Sequence, residues 1–415
     1  MSHLALFGGS PLRTKPFPSW PIFDSSEEMA VLNVLRSGKW WRNSQGENGS
    51  LETLDGDGPS EVARFQHAFA NFQGGRFGVA CANGTAALEI ALKASGIGPG
   101  DEVIVPPYSF IATATAPLAV NAVPIFCDIE LETFNLGPDR FEEAIGPRTK
   151  AVIPVHFAGL PADMSRILEI ANRHNLVVIE DAAHAHGASW NGKGVGTIGH
   201  AGTFSFQISK NMTAGEGGLI LTNDENLATQ CESLVWAGRQ VGRPWYEHHR
   251  LGWNYRITEF QAAILGEQLK RVENQNSKRM ENGAYLNWTL CELPGIYPMA
   301  VPRWATRHSF HLYAFRFREK EAGIPRRDFV AALEKEGIPC STGYAHPLYK
   351  NPLFRHVDTI DYAAFSDRCP NAEQACHEAV WLEHRILLGE REDMDDIVRS
   401  INKIYENRHE FCVTR

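Results

Sequence analysis

Lys210 is the residue whose surroundings point most directly to chemistry. It follows the apolar run 203–206 and precedes the glycine-rich stretch 211–218. Its amine is therefore expected at a buried sheet edge, where desolvation lowers the pKa and makes the nitrogen nucleophilic. Asp181 stands 29 positions earlier, just beyond the apolar run 176–179; a carboxylate there is costly unless a cation, a metal or hydrogen-bond donors meet it. Asn83, Gly84 and Thr85 open a helix pattern whose free N–H groups and dipole suit a phosphate, although the same start also reads as plain capping. Tyr108 and Phe110 follow the apolar run 102–105, as core or as a stacking wall. A phosphate cradle, an aromatic face, an acid and a lysine form the set that pyridoxal phosphate requires. The phosphate takes N–H groups and hydroxyls, the ring takes a flat partner, the ring nitrogen takes a carboxylate and the aldehyde takes the lysine.

The elements that must position these residues alternate. Strand-like runs at 102–105, 123–126, 151–155, 176–179, 203–206 and 218–222 are interleaved with helix patterns at 85–94 and 162–173. The pattern predicts an α/β fold with a large, mostly parallel sheet, whose ligands bind at the carboxyl ends of its strands. The stretch 43–60, rich in Gly, Asp, Asn and Ser, reads as a loop or lid. A long helical pattern over 258–287 is expected to hold a hinge, dividing a large domain with an N-terminal arm (1–270) from a smaller α+β domain (271–415). In the latter, 312–317 reads as a strand and 327–336, 371–378 and 393–408 as helices.

Composition narrows the function classes. The chain has 415 residues, 43% hydrophobic and 21% charged, with a formal net charge of −9. That is a globular mix without the basic excess that nucleic acids or anionic membranes attract. No apolar stretch approaches the ~18 residues of a spanning helix, and the opening residues do not read as a signal peptide. Eight scattered cysteines without zinc-like spacing suit a reducing cytoplasmic compartment.

Longer motifs carry a resemblance. The opening 4–9, Asn83 to Leu88, Glu180 to Gly187, Ser209 to Gly218, Gly252 to Thr258 and Cys369 to Glu373 together resemble the DegT/StrS-type sugar aminotransferases, fold-type I pyridoxal-phosphate enzymes, over nearly the whole chain. The resemblance implies that an amino group from glutamate or glutamine passes to a keto sugar or keto cyclitol. It implies that Lys210 binds the cofactor's aldehyde as a Schiff base and then shuttles the proton, that Asp181 pairs with the pyridinium nitrogen and that Phe110 stacks on the ring. The N–H groups of Gly84, Thr85 and Ala86 and the Ser205 hydroxyl would hold the phosphate, with Asn254 completing that site in the neighbouring subunit of a homodimer. His184 stands where many members carry a glutamine that contacts the ring hydroxyl. A branch of the family with histidine in place of the lysine dehydrates sugars, and Lys210 argues against it.

Other readings stand beside this one. Asp181, His184 and His186 are conceivable metal ligands, though no metal is expected. A non-catalytic or non-transaminating cofactor- or sugar-binding protein would keep the fold. A dinucleotide site lacks its GxGxxG. Arg239, Arg243, His248, His249, Arg250 and Arg256 form either a solvated inter-subunit loop or a positive rim for an anionic group, with Arg243 the substrate candidate. Tyr344 and His346 are expected either to pack or to face the substrate from the small domain.

Overall fold

The computed structural model describes residues 3–41, 60–357 and 360–413; the expected lid at 43–59 lies outside them. Ser60 belongs to the next element, where its hydroxyl accepts from Ala63 N–H and caps the helix Glu61–Gln73.

Seven strands form the large sheet, in the order Phe77–Cys81, Gly218–Thr222, Ala201–Ser205, Val177–Asp181, Thr149–Val152, Glu102–Val105 and Val123–Phe126. Gly218–Thr222 runs antiparallel to both its neighbours and every other pairing is parallel. These central strands are nearly continuous apolar runs because helices cover both faces of the sheet. Helices Gly84–Ala94 and Ala112–Ala119 share one core with the strand faces, and Met164–Arg173 lies in another with Val152 and Val178. Phe77–Cys81 falls outside the predicted runs. Its residues are apolar or glycine, and it pairs along its whole length with the antiparallel strand.

Thr258 and Gln261 form a capping box that starts a 32-residue helix, Glu259–Leu290, about 48 Å long at 1.5 Å per residue. The expected boundary at 270 falls inside this unbroken helix. Beyond it, Ile296–Pro298, Leu312–Phe317 and Ala379–Glu383 make an antiparallel sheet with Leu312–Phe317 at its centre. Helices Arg326–Lys335 and Arg391–Glu406 pack on that sheet, with Phe317 stacked on Phe329 at 4.2 Å. The N-terminal arm departs from the expected division, because Leu4 and Phe17 lie in this C-terminal core. The reason is Glu336, a fully buried carboxylate whose oxygens accept from Ala5 N–H, Leu12 N–H and Lys403 Nζ. Among the described residues no helix is long and apolar enough to cross a membrane.

Candidate active site

Because the strands Phe77–Cys81, Glu102–Val105, Val177–Asp181 and Ala201–Ser205 point the same way, the residues after each emerge at one edge. The antiparallel strand begins where they end and brings Glu216 to the same place. A cavity of about 730 Å³ opens there, and Gly84, Thr85, Ala86, Phe110, Asp181, His184, Ser205 and Lys210 all line it.

Two consecutive acids close the strand Val177–Asp181 and face opposite ways. Glu180 is fully buried and satisfied, accepting from Gly196, Ile198 and Gly199 N–H at 2.6–2.7 Å and lying 2.9 Å from His156 Nε2. Asp181 turns into the cavity, accepting from Thr113 Oγ1 at 2.8 Å and from Ala183 N–H at 3.2 Å. Burial raises its pKa, while Thr113, Ala183 and the Lys210 cation favour the charged form.

Lys210 sits in a tight turn, its N–H donating to Gln207 O at 2.9 Å, while the Gln207 side chain accepts from Ser209 N–H and Oγ. Burial pushes the Lys210 amine down to about 8, and the facing Asp181 works in the opposite direction. The neutral amine is the nucleophilic form, so its fraction grows as pH rises through 8. The rate at which apo-protein captures pyridoxal phosphate should accordingly rise with pH with a midpoint near 8. Stopped-flow absorbance across pH 6–10 measures this directly, and a midpoint near 10, as for a solvated lysine, would contradict the burial argument.

The helix Gly84–Ala94 meets the next strand closely, since a Cβ on Gly84 would lie 2.7 Å from Ser205 Cβ. Gly84 thus lets two first-turn N–H groups and a hydroxyl converge, a donor set suited to a phosphate. Ala86 N–H donates to Asn83 Oδ1 at 2.9 Å as part of the cap, so Gly84 and Thr85 are the first-turn N–H groups left without a capping partner. Phe110 is 57% exposed in the cavity, whereas Tyr108 is buried and stacks on Phe134. His184 is buried and held neutral. Its Nδ1 accepts from Ala158 N–H at 3.4 Å, which places the proton on Nε2.

Other expected residues lie elsewhere. Asn254 is exposed, bridges Trp236 through its backbone and does not line this cavity. Arg243 lies in the wholly exposed stretch 241–250. Arg239 covers Trp245, and Arg256 lies over Trp41 and Trp236. Tyr344 packs edge-on against Trp381 at 4.8 Å and Tyr108 at 5.3 Å, while exposed His346 keeps Nδ1 3.2 Å from Pro347 O, so neither lines the cavity. His186 turns away from Asp181 into Phe69, Phe204 and Phe206. Among the described residues no three His, Cys, Asp or Glu side chains are placed to hold a metal ion.

The cavity also holds residues that the sequence reading did not single out. Tyr255 donates to Glu89 at 3.1 Å on one wall, and Ser109 joins Thr113 at 2.9 Å behind Asp181. Thr113 stands three positions beyond Phe110, and Tyr255 directly follows Asn254. Adjacency was the available signal for both.

The family model of the DegT/DnrJ/EryC1/StrS aminotransferases matches residues 50–402. The L-glutamine:2-deoxy-scyllo-inosose aminotransferase of Streptomyces fradiae is 39% identical over 427 residues, covering 97% of this chain and 98% of that protein. The 3-amino-5-hydroxybenzoate synthase of Amycolatopsis mediterranei (strain S699) is 36% identical, covering 90% of this chain and 93% of its own length. A crystal structure of 3-amino-5-hydroxybenzoic acid synthase superposes with a TM-score of 0.86 at 34% identity, covering 96% of this chain and all of that one. With the lysine, acid and cradle in one cavity, the chain belongs to the DegT/DnrJ/EryC1/StrS aminotransferase family and is a pyridoxal-phosphate-dependent aminotransferase.

Proposed function

We propose that the enzyme moves an amino group from L-glutamine, or from glutamate, to a keto cyclitol, with a keto sugar as the neighbouring substrate class. The observation that carries this reading is the near full-length similarity to a relative named for glutamine and a keto cyclitol. The cavity chemistry supports it. Glu89, Gln207, Ser209, Glu216 and Tyr255 supply hydrogen-bonding groups for a hydroxyl-rich ring, and Lys210 is the one lysine or arginine in the lining among the described residues.

Bound in this cavity, pyridoxal phosphate supplies an aldehyde that carries the amino group and a protonated ring that accepts electron density from the substrate carbon. The Gly84 and Thr85 N–H groups and Ser205 Oγ hold the phosphate. Asp181 keeps the ring nitrogen protonated, His184 donates from Nε2 to the ring hydroxyl, and Phe110 covers one ring face. Lys210 takes the proton from the donor carbon in one half-reaction and delivers it to the acceptor carbon in the other. The exposed, outward Asn254 belongs to the phosphate site of a second copy, so the working unit is a homodimer, and Arg243 on the same loop rims the partner's cavity. Seven cysteines are free among the described residues, which suits a cytoplasmic enzyme.

The test supplies the holoenzyme with L-glutamine and, in turn, 2-deoxy-scyllo-inosose or a nucleoside-diphosphate keto sugar, following the visible band and the product mass. Donor-dependent bleaching followed by amination of the cyclitol is expected. Amination of the nucleotide sugar alone overturns the acceptor, and a band that ignores every amino donor points to a non-transaminating cofactor-binding protein.

A further inference from the structure

Behind His184 lies a buried arrangement that the reaction scheme does not use. The His311 ring stacks on that of His184 with centroids 4.2 Å apart and planes 29° apart, yet His311 does not line the cavity. Three segments distant in sequence interlock to put it there. The turn Phe157–Gly159 receives His311 N–H at Ala158 O (2.8 Å) and Ser309 N–H at Gly159 O (3.0 Å). Ala158 is held at φ 55°, a left-handed conformation that a residue with a Cβ seldom adopts, and its N–H is the donor to His184 Nδ1. The fit is tight, since a Cβ on Gly159 would fall 2.4 Å from Ser309 Oγ and 3.0 Å from His184 O.

The third segment is the lysine turn itself. Asn211, fully buried and next to Lys210, donates through Nδ2 to Ser309 O at 2.8 Å, and its Oδ1 lies 3.3 Å from His311 Nδ1. That contact assigns a proton to His311 Nδ1 and fixes its ring plane. The same side chain therefore touches the turn carrying Lys210 through a hydrogen bond and the histidine on the cavity wall through its face.

We propose that His311 is a positioning residue, holding the His184 ring in the plane from which Nε2 meets the cofactor and tying that ring to the Lys210 turn through Asn211. The proposal rests on the reading of His184 as a cofactor contact. A flat ring stacked on His184 removes its freedom to rotate about the Cβ–Cγ bond, and in sites of this kind a misplacement of about 1 Å costs on the order of 10²-fold.

The experiment titrates pyridoxal phosphate into apo-protein, reading the dissociation constant and the visible maximum, alongside the apo-protein's thermal midpoint and the split between kcat and KM. His311→Ala should weaken cofactor binding about tenfold or more and lower kcat to a similar degree, with KM for glutamine changed less than about threefold. His311→Phe keeps the stacked face but loses the bond to Asn211, so its cofactor affinity should fall between those of wild type and His311→Ala. In a His184→Gln background the ring to be held is gone, so adding His311→Ala should change the dissociation constant by less than about threefold. The proposal is overturned by a His311→Ala protein with wild-type affinity and spectrum, by equal losses in both backgrounds, or by a lowered thermal midpoint with unchanged affinity of the folded protein. A wild-type protein that captures no pyridoxal phosphate overturns the reading of the site, and the proposal with it, so the two failures are told apart.

Discussion

Lys210→Ala should reduce turnover by about 10²–10⁴-fold, the usual contribution of a positioned proton-transfer group, while the folded protein still binds pyridoxal phosphate non-covalently. The expected split follows from the separation of roles in the cavity. The Gly84 and Thr85 N–H groups, Ser205 and Asp181 do not depend on the amine, so affinity falls but does not vanish, and the cofactor becomes removable by dialysis. Neither His184 nor Glu89 is free to take over the proton. Burial holds His184 well below its ordinary pKa, and its Nδ1 already accepts from Ala158 N–H. Glu89 is engaged by Tyr255. Visible spectra before and after dialysis, with single-turnover rates on L-glutamine, measure both halves of the claim. A small primary amine such as ethylamine, entering the space left by the side chain, should restore part of the rate. Turnover at the wild-type level in Lys210→Ala would refute the assignment.

Why these residues were legible in the sequence, and others were not, follows from what each signal depends on. Asp181 and Lys210 each follow an apolar strand, and a parallel sheet brings such positions to one edge whatever the loops do. Gly84 was legible as a helix start, and its specific need, the 2.7 Å approach to Ser205, is a tertiary fact. Glu180 and Asp181 look equivalent in sequence. Strand alternation sends one toward the Gly196–Gly199 backbone and the other toward the cavity, a consequence of the two-residue period. Tyr344 could be read either way in sequence, because a tyrosine near a domain junction packs as readily as it binds, and the ring contacts with Trp381 and Tyr108 are tertiary facts. The arm's place in the C-terminal core rests on Glu336 recruiting N–H groups some 330 positions away, which no local pattern encodes. His311 is the same case, since its stacking on His184 needs three distant segments to meet.

Asp181→Asn should produce the second large loss, and with it a diagnostic shift. The substitution keeps the volume and one acceptor for Thr113 but removes the charge proposed to keep the ring nitrogen protonated, so kcat should fall by about 10²–10³-fold, as when one preorganised electrostatic partner is removed. KM for glutamine should change little, because the loss is confined to the transition state. The apo-protein provides an independent reading through Lys210. The Asp181 carboxylate raises the Lys210 pKa against the opposing effect of burial. Removing the negative charge leaves desolvation unopposed, so the Lys210 pKa drops further and the pH midpoint for cofactor capture moves below 8. A fall in kcat without that downward shift would mean that Asp181 acts on the cofactor alone. An upward shift would contradict the electrostatic coupling, because no change at a neutralised acid can stabilise the ammonium form. The two measurements together separate the acid's work on the ring nitrogen from its work on the lysine.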